Sequence, residues 1–574
     1  MGTLQQGLQS LKQDLKNELN IEVKDTQPVE ESIIMPSPEQ VPMMYRAQVS
    51  GRCSLQYGKN QKDLDRWTEE WVYPNKKDEP SYQFKKPQLA LDDGVYRFEI
   101  EFPWRVFSNC GQDSIFRPVI GKDGIPFIPG SGIKGLFRRL LEWADISDDD
   151  KRTIQNYCGT ADKPATLRFL RAYPLGDWAQ TKRVTPRNKN EEIRYQMVDI
   201  CHPQQKKQVE GGGRPQAIAL ISFYKPTFVF ELSSIKPLGL TEWQHIEQLL
   251  RKALNQGIGG KTSNGYGLYN APQDKNLYPL AFHLFAKGVS PLLRNDEPEF
   301  RPNLFKATLR GHVSRLLGGA TNNVDTVKIK VNQLFGDNSP GSLQLYWETL
   351  PEFLTMGTYG RENTPIYENQ GILYLDVKKN NNNQDIAFLQ KVMEFAFIMG
   401  GFGKSWRRVY HPDFMNYNTR AIGCHWWGSW QKPDQPLNIN NPQQLTQFLN
   451  GLFNTCQQYL NINNNQQYIN NWRESWHPQN VKVFSKVVAK SELITLFHED
   501  KFKYTPAIGG KNRGDKRPKY VSCVWHRMLP IENNQYLEIM TVFRGDNQLW
   551  NGQKANFEKE ITERNFGLTW GNKN

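Results

Sequence analysis

The stretch NQGIGGKTSNGYG, residues 255–267, carries residue types that bind phosphate. Gly260, Lys261 and Thr262 spell the G-K-T that ends a Walker A motif, where backbone amides and a lysine hold a nucleotide's phosphates. That motif needs a glycine five residues earlier, where this chain has Asn255. It also needs a strand before the loop and a helix after it, whereas TEWQHIEQLLRKALNQ before this loop has helical apolar spacing. The pattern therefore argues against a nucleotide hydrolase.

The same glycine-basic pattern recurs at 400–405, GGFGKS, and continues as WRRVYH. Glycines let a backbone approach a phosphodiester closely, and lysine and hydroxyl groups add donors. The structural alternative is a helix-ending turn that packs against a sheet. The recurrence with a basic residue favours RNA contact. The predicted contacts are Gly257, Gly259, Gly260, Lys261 and Thr262 in the first loop, and Gly401, Gly403, Lys404, Ser405, Trp406, Arg407 and Arg408 in the second.

A basic helix also occurs twice, because PGSGIKGLFRRLLEW (129–143) aligns with PNLFKATLRGHVSRLLGG (302–319). Ser131 and Asn303 stand three residues before the aligned lysines, where N-cap residues are expected. Charge at this spacing is often only a solvated helix face, but a helix start also attracts phosphate. The predicted RNA contacts here are Gly130, Ser131, Lys134, Arg138, Arg139, Lys306, Arg310 and Arg315.

These motifs need a scaffold, and each half of the chain supplies the order strand, basic helix, strands, helix, glycine loop. That is the β-α-β-β-α-β order of a ferredoxin-like fold, so the sequence predicts an α+β protein with two RRM/ferredoxin-like modules in tandem. The predicted divisions are a polar N-terminal extension at 1–44, a module at 45–275 and a module at 276–574. Asn- and Gln-rich insertions interrupt the second module.

The composition suits a folded protein with a polyanionic partner. Among 574 residues, 72 Lys and Arg stand against 59 Asp and Glu, a formal net charge of +13. The seven cysteines are scattered and no C-x-x-C occurs, so the sequence favours a reducing cytoplasm and predicts no metal site or cofactor. No apolar run suggests a signal peptide or membrane contact. A further basic run, GGKNRGDKRPK, is either a solvated loop or an RNA contact through Lys511, Arg513, Lys516 and Arg517.

Together these motifs resemble the RAMP superfamily, the RRM-like subunits of type III CRISPR effector complexes. IPFIPGSGIKGLFRRLL is similar to the family's I-P-G-S-S-x-K-G-x-x-R helix entry, with Gly132 in place of the usual Ser, and GIGGKTSNGYG resembles its glycine-rich loop. The first module looks most like the sixth Cmr-complex subunit. In the second, EFRPNLFKATLRGHVSRLL, LFGD and GGFGKSWRRVY resemble motifs of the first Cmr subunit, with departures at Asn303, Leu304 and Val409.

The resemblance implies an RNA-binding structural subunit that caps the guide-RNA filament at its 3′ end. The implied partners are guide RNA, target RNA and other effector subunits. The alternative is a RAMP endoribonuclease, since metal-independent cleavage in this superfamily uses a loop aspartate of the repeating backbone subunits. Asp113 in NCGQDSIFRP is the candidate for that role, and a solvent-facing loop aspartate is the simpler explanation.

Overall fold

The computed structural model describes most of one compact unit, Arg52–Asn574. The described residues are 68, 71–72, 84–85, 94–108, 118–121, 124–143, 145–184, 192–201, 208–211, 218–269, 278–293, 297–337, 341–349, 353–377, 383–433, 437, 439–462, 467–510, 520–545 and 548–572. The predicted extension at 1–44 lies outside them. The predicted division between 45–275 and 276–574 falls within this one unit and stays a prediction.

Three antiparallel sheets form the scaffold, and the first has five strands. Its strands are β1 (Val95–Glu101), β2 (Val119–Ile120), β3 (Pro126–Pro129), β4 (Leu167–Pro174) and β9 (Thr227–Ser234), in the order β1-β9-β4-β3-β2. Two hairpins lie beside it, made by β5 (Thr181–Val184) with β6 (Glu192–Tyr195) and by β7 (Val198–Cys201) with β8 (Ile218–Ile221). In β1, Phe98 and Ile100 are buried while Glu99 and Glu101 are exposed, the alternation of a half-buried strand.

The second sheet has the complete ferredoxin-like order. Its strands are β10 (Leu280–Val289), β11 (Leu343–Thr349), β13 (Thr364–Val377) and β14 (Cys424–Lys432), in the order β11-β13-β10-β14, and β12 (Thr355–Tyr359) pairs with β13. Strand β10, the first strand of this module, thus lies between β13 and β14. The predicted β-α-β-β-α-β module is confirmed here.

A third sheet lies inside the segment that the sequence analysis assigned to the second module. Its strands are β15 (Val481–Val488), β16 (Val524–Ile531), β17 (Gln535–Phe543) and β18 (Gly567–Trp570), in the order β16-β17-β15-β18. This is the same strand order, but between β15 and β16 the described residues contain only a 3₁₀ turn, Thr495–His498, where the first helix would stand. The predicted number of modules, two, stays a prediction.

Eight α-helices cover the described parts of these sheets. They are α1 (Gly130–Arg138), α2 (Asp148–Cys158), α3 (Leu240–Leu254), α4 (Asn303–Ala320), α5 (Val324–Phe335), α6 (Asn383–Met399), α7 (Pro442–Tyr459) and α8 (Gln548–Glu563). Helix α1 packs on β4, while α4 packs against α5, α6 and α7. One apolar core joins the second and third sheets, with Trp347, Trp476 and Trp525 fully buried in it. None of the described helices is long and apolar enough to cross a membrane.

The residues after the first glycine loop do not add a strand to the first sheet. GYGLY, residues 265–269, forms turn and coil, because Gly265 and Gly267 adopt left-handed φ values of 88° and 66° that break an extended strand. Instead, the loop bonds to the backbone that follows β1. The Gly260 amide donates to the Phe107 carbonyl (2.6 Å), and the Gly267 amide donates to the Arg105 carbonyl (2.8 Å). The glycine loop thus takes the place next to the extended segment that continues β1.

Candidate nucleic-acid interface

A cleft of about 880 Å³ brings together three of the predicted motifs. The first glycine loop contributes Ser263, Asn264 and Tyr266. Helix α4 contributes the face that carries Asn303, Leu304, Ala307, Thr308, Arg310, Gly311 and Ser314, and the second glycine loop contributes Gly403 and Lys404. Helix α5 and Trp472 close other parts of the wall. The cleft therefore lies where elements of the first half of the chain meet elements of the second half.

The glycines of the first loop are required by close packing. Gly257 ends α3 with φ 89°, as expected of a helix terminator. A Cβ on Gly259 would come 2.3 Å from the Phe107 carbonyl oxygen, and one on Gly265 would come 2.5 Å from Cα of Asn303. Glycine thus allows the loop to lie directly on the first turn of α4. These glycines are therefore required by backbone packing, as the interpretation of the loop as a helix-ending turn predicts.

The two glycine loops differ by one residue in backbone geometry. In the first, left-handed φ values occur at Gly257, Gly259 and Lys261; in the second they occur at Gly400, Gly403 and Ser405. Lys261 therefore takes the backbone conformation of Ser405, so the predicted match of Lys261 with Lys404 is displaced by one residue. Lys404 and Ser405 are exposed, while Gly260, Lys261 and Thr262 are half-buried.

The loop before Lys261 follows a helix, and the residues after it form a 3₁₀ turn, Thr262–Asn264. The helix that a nucleotide-hydrolase loop requires directly after its lysine is therefore replaced here by a 3₁₀ turn. This geometry agrees with the prediction that the G-K-T sequence is not a nucleotide-hydrolase loop.

Both basic helices begin without a side-chain cap. The N-cap residues are Pro129 and Pro302, so the predicted caps Ser131 and Asn303 are wrong: each lies one or two residues inside its helix. Neither helix has an acidic residue in its first turn. The partial positive charge of the α4 start is thus not offset by a local carboxylate, and this start forms part of the cleft wall.

The basic residues of α4 have three different environments. Arg310 lines the cleft and is anchored there, since it donates to the Gly336 carbonyl (2.5 Å) and to Oδ1 of Asn332 (2.8 Å). Lys306 is only 3% exposed, and burial, together with the nearby Arg310, lowers its pKa to about 8. The third, Arg315, is fully buried. Of the three, Arg310 is the one placed to meet a ligand in the cleft.

Four predicted RNA contacts belong to the core instead. Trp406, Arg407 and Arg408 are each 8% exposed or less. The guanidinium of Arg408 donates to the Val524 carbonyl (2.9 Å) and to Oγ of Ser522 (2.8 Å), which leaves it no route to solvent phosphates. The fourth residue, Arg315, is buried over the rings of Trp406 and Trp525.

Glu474 is the counter-ion of this buried cluster. It pairs with Arg315 (2.8 Å), with Arg407 (2.7 Å) and with its neighbour Arg473. Burial alone would raise the pKa of Glu474, but the three guanidiniums outweigh it and lower the pKa to about 2. The cluster therefore connects α4 and the second glycine loop to the segment that precedes β15.

A second buried network fixes the first loop to α4. Arg105 forms a two-point pair with Glu299, with both distances 2.7 Å, and Arg301 pairs with Asp199. The Tyr266 hydroxyl donates to Oδ2 of Asp199 at 2.7 Å. Although burial favours the neutral acid, Arg301 and Arg105 hold the pKa of Asp199 below its ordinary value. These bonds cross from residues before 275 to residues after it, so they set the geometry of the cleft.

The residues predicted on α1 form a separate surface. Ser131 and Arg138 are exposed, and Lys134 and Arg139 are half-buried, but none of them lines the cleft. Gly130 is buried, because a Cβ there would come 2.0 Å from the Phe169 carbonyl oxygen, so its predicted RNA contact is wrong. The same holds for Gly401, whose Cβ would come 2.2 Å from Nε2 of His312.

Several predicted residues lie outside the described part of the chain: Asp113, Lys511, Arg513, Lys516 and Arg517. Within the described part, no group of three His, Cys, Asp or Glu residues could hold a metal ion. Four cleft residues were not predicted from the sequence as RNA contacts: Ser263, Asn264, Thr308 and Trp472. The first two stand within the quoted glycine stretch, whereas Trp472 has no motif around it that would have marked it.

The family comparison agrees with the motifs. A family model described as the RAMP superfamily matches residues 116–270. Residues 116–270 are a RAMP-superfamily segment. This segment includes α1 and the first glycine loop, so the predicted resemblance is confirmed there. No curated protein matches the chain.

Several solved structures overlap parts of the chain. One is from "Cryo-EM structure of the Type III-B Cmr-beta bound to cognate target RNA", with 20% identity and a TM-score of 0.23, and the overlap covers 31% of this chain and 57% of that one. Cmr6 from Pyrococcus furiosus has 16% identity and a TM-score of 0.18, over 31% of this chain and 98% of that one. A chain of a type IV-B CRISPR complex has 15% identity and a TM-score of 0.20, over 30% and 87%. Because these identities and TM-scores are low, the family assignment of residues 116–270 rests on the family model alone.

Proposed function

We propose that this protein is an RNA-binding structural subunit of a type III, Cmr-like CRISPR ribonucleoprotein, and that its cleft holds the RNA backbone. The observation that carries the proposal is the convergence of both glycine loops and the second basic helix on one cleft. Residues 116–270 match the RAMP superfamily, and the remaining motifs resemble it.

The cleft chemistry suits phosphate better than base edges. Lys404 and Arg310 supply cationic donors, the α4 start adds its partial positive charge, and Ser263 and Asn264 supply neutral donors. The cleft also contains two carboxylates, Glu210 and Asp337, which limit how many phosphates can sit in it. RNA binding should therefore tolerate sequence changes and weaken steeply with salt, because cations that face phosphates release counterions on binding.

The finer role follows from the resemblance. A chain that joins a module like the sixth Cmr subunit to a module like the first would cap the guide-RNA filament at its 3′ end, in contact with other effector subunits and with target RNA. The Arg301–Asp199 ion pair and the bond from Arg407 to Gln208 support one rigid cap, since each ties a residue of the first half to a residue of the second. Limited motion between the halves would hold an RNA end in a fixed place.

The test compares two double variants with the same charge change. Lys261→Ala with Lys404→Ala removes a lysine from each glycine loop, while Lys236→Ala with Lys559→Ala removes two exposed lysines outside the cleft wall. Binding of fluorescent single-stranded RNA is measured over a salt series. The loop variant should bind all RNA sequences more weakly with a shallower salt dependence, and the control variant should resemble the parent. Equal binding by both variants at every salt concentration would show that the loops are structural turns.

The endoribonuclease alternative makes the opposite prediction about RNA integrity. Phosphodiester cleavage needs a nucleophile in line with its leaving group, together with acid-base or charge stabilisation. A structural subunit should bind guide RNA and leave guide and target intact, and Asp113→Ala in the assembled complex should leave the target cuts unchanged. Loss of one specific cut in that variant, with assembly intact, would make this chain a nuclease.

A further inference from the structure

A pair of aromatic rings lies at one end of the cleft. A small pocket of about 20 Å³ is lined by Trp104, Tyr224 and Phe300, and it shares Tyr266, Arg301 and Asn303 with the larger cleft. The two cavities therefore lie next to each other at the start of α4. A strand that follows the cleft past Asn303 would reach the aromatic pair next.

Buried neighbours of Tyr224 and Trp104 hold the two rings in place. The guanidinium of Arg105 lies 5.2 Å from the centre of the Tyr224 ring and is itself locked by its two-point pair with Glu299. The Trp104 ring meets Phe300 edge-on, with centres 6.2 Å apart. Both Trp104 and Tyr224 remain half-buried. Their positions are thus fixed before any ligand binds, which reduces the entropy cost of stacking on them.

An exposed lysine covers both rings. The ammonium of Lys225 lies 5.6 Å from the centre of the Trp104 ring and 5.5 Å from that of Tyr224. Lys225 has φ 45°, a conformation that only a few per cent of non-glycine residues adopt, and this turn directs its side chain. Because the side chain is long and exposed, it can leave the rings at little cost when another flat group takes its place.

Trp104 shares one feature with several buried tryptophans of this chain. Its Nε1 is buried, and no described group accepts a hydrogen bond from it. A buried donor without an acceptor is costly, and buried indole N–H groups usually find a partner. An acceptor atom in the adjoining pocket would satisfy it, and the pocket has room for a single polar group.

We propose that Trp104 and Tyr224 form a stacking subsite for one unpaired RNA base, with Lys225 binding the phosphate of that nucleotide. This inference rests on the proposed function, since the base belongs to the strand whose phosphates lie in the cleft. Stacking on aromatic rings is tolerant of base identity because every base has a π-face. The subsite would therefore fix where the strand ends or turns without selecting its sequence.

The test uses single-stranded RNAs in which one 2-aminopurine is placed at successive positions. Stacking quenches its fluorescence, so the parent protein should quench one position more than its neighbours. Trp104→Leu and Tyr224→Leu should each relieve that quenching and weaken binding about five- to 150-fold, the range measured for single stacked bases. The slope of affinity against salt should stay unchanged, because a neutral ring releases no counterions.

Three further variants separate stacking from misfolding. Trp104→Phe keeps an aromatic ring and should restore most of the quenching. Lys225→Ala, at an exposed site, should keep the quenching and reduce the salt slope by about 0.7, the value for one phosphate contact on a single strand. Trp427→Leu removes a half-buried ring stacked on Phe285 in the second sheet, outside both cavities, and should change nothing.

The outcomes distinguish this inference from the proposed function. RNA binding by the parent without a uniquely quenched position, or quenching that persists in both leucine variants, overturns the stacking subsite and leaves the cleft intact as an RNA site. Absence of RNA binding by the parent overturns both. Weaker binding in the leucine variants with a changed salt slope and unchanged quenching would also contradict stacking.

Discussion

The contact between Gly265 and the start of α4 gives the sharpest perturbation of the cleft. In Gly265→Ala the new Cβ would lie 2.5 Å from Cα and 2.7 Å from Cβ of Asn303, where carbon atoms need about 3.5–4.0 Å. Relief requires the loop or the helix start to move by about 1 Å. The left-handed backbone of this residue, φ 88°, adds about 1–2 kcal/mol for any side chain. Overpacking adds about 1–3 kcal/mol, so the free energy of unfolding should fall by about 2–5 kcal/mol.

The control is Gly176→Ala, at an exposed position with φ 62° where no atom lies within 4 Å of the new Cβ. It carries the backbone term alone, about 1–2 kcal/mol. Urea unfolding measures the stabilities, and fluorescence anisotropy with single-stranded RNA measures the affinities. Gly265→Ala should weaken RNA binding about tenfold or more, because a displacement of 1 Å misplaces the donors of the cleft, while Gly176→Ala should not. Equal unfolding and equal RNA binding in the two variants would refute the claim that this contact shapes the RNA site.

Three other predictions concern charge and organisation. The pKa of Glu474 is lowered to about 2 from an ordinary 4.5, so its ion pairs should contribute about 3 kcal/mol to the free energy of unfolding. This contribution is present above pH 4.5 and is lost as the pH falls towards 2. Unfolding midpoints measured over that range should lose this pH dependence in Glu474→Gln. The pKa of Lys306 is lowered to about 8 from 10.5, so Lys306→Met should raise the free energy of unfolding by about 3 kcal/mol below pH 8. This gain should vanish near pH 10.5. A variant that is less stable than the parent at pH 7 would contradict the prediction. Limited proteolysis should cut first at 270–280 and in the Asn-rich tracts, whereas early cuts elsewhere inside either half would count against the boundary.

Local patterns predicted much of the scaffold and little of its assembly. The alternation in β1, the apolar faces of α1 and α4 and the helix-ending Gly257 depend on neighbouring residues, so they are visible in the sequence. The third sheet was not predicted because no sequence after 480 aligns with the basic helix, the landmark that revealed the repeat. Its strand order appears only when long-range pairing is known.

The site shows the same limit at the level of single residues. Arg315 and Arg407 have the residue type and spacing of phosphate ligands, yet their counter-ion Glu474 lies 159 residues beyond Arg315 in the chain. No local pattern marks such a pair. The cleft itself depends on Asp199 meeting Arg301, and Gly265 meeting Asn303, across the predicted boundary. Residue types therefore predict phosphate chemistry, but only the fold separates cleft residues from buried ones.

The most direct test of the RNA cleft is photo-crosslinking of 4-thiouridine RNA to the intact chain, with the crosslinked peptides identified by mass spectrometry. The cleft predicts crosslinks in three separate segments, 263–266, 303–314 and 403–404, all lost together when unlabelled RNA competes. Addition of ATP should not displace them, because the residues after Lys261 form a 3₁₀ turn and not the helix that a nucleotide-hydrolase loop requires. Crosslinks confined to α1 or to surfaces outside the cleft, with none in these three segments, would contradict the account.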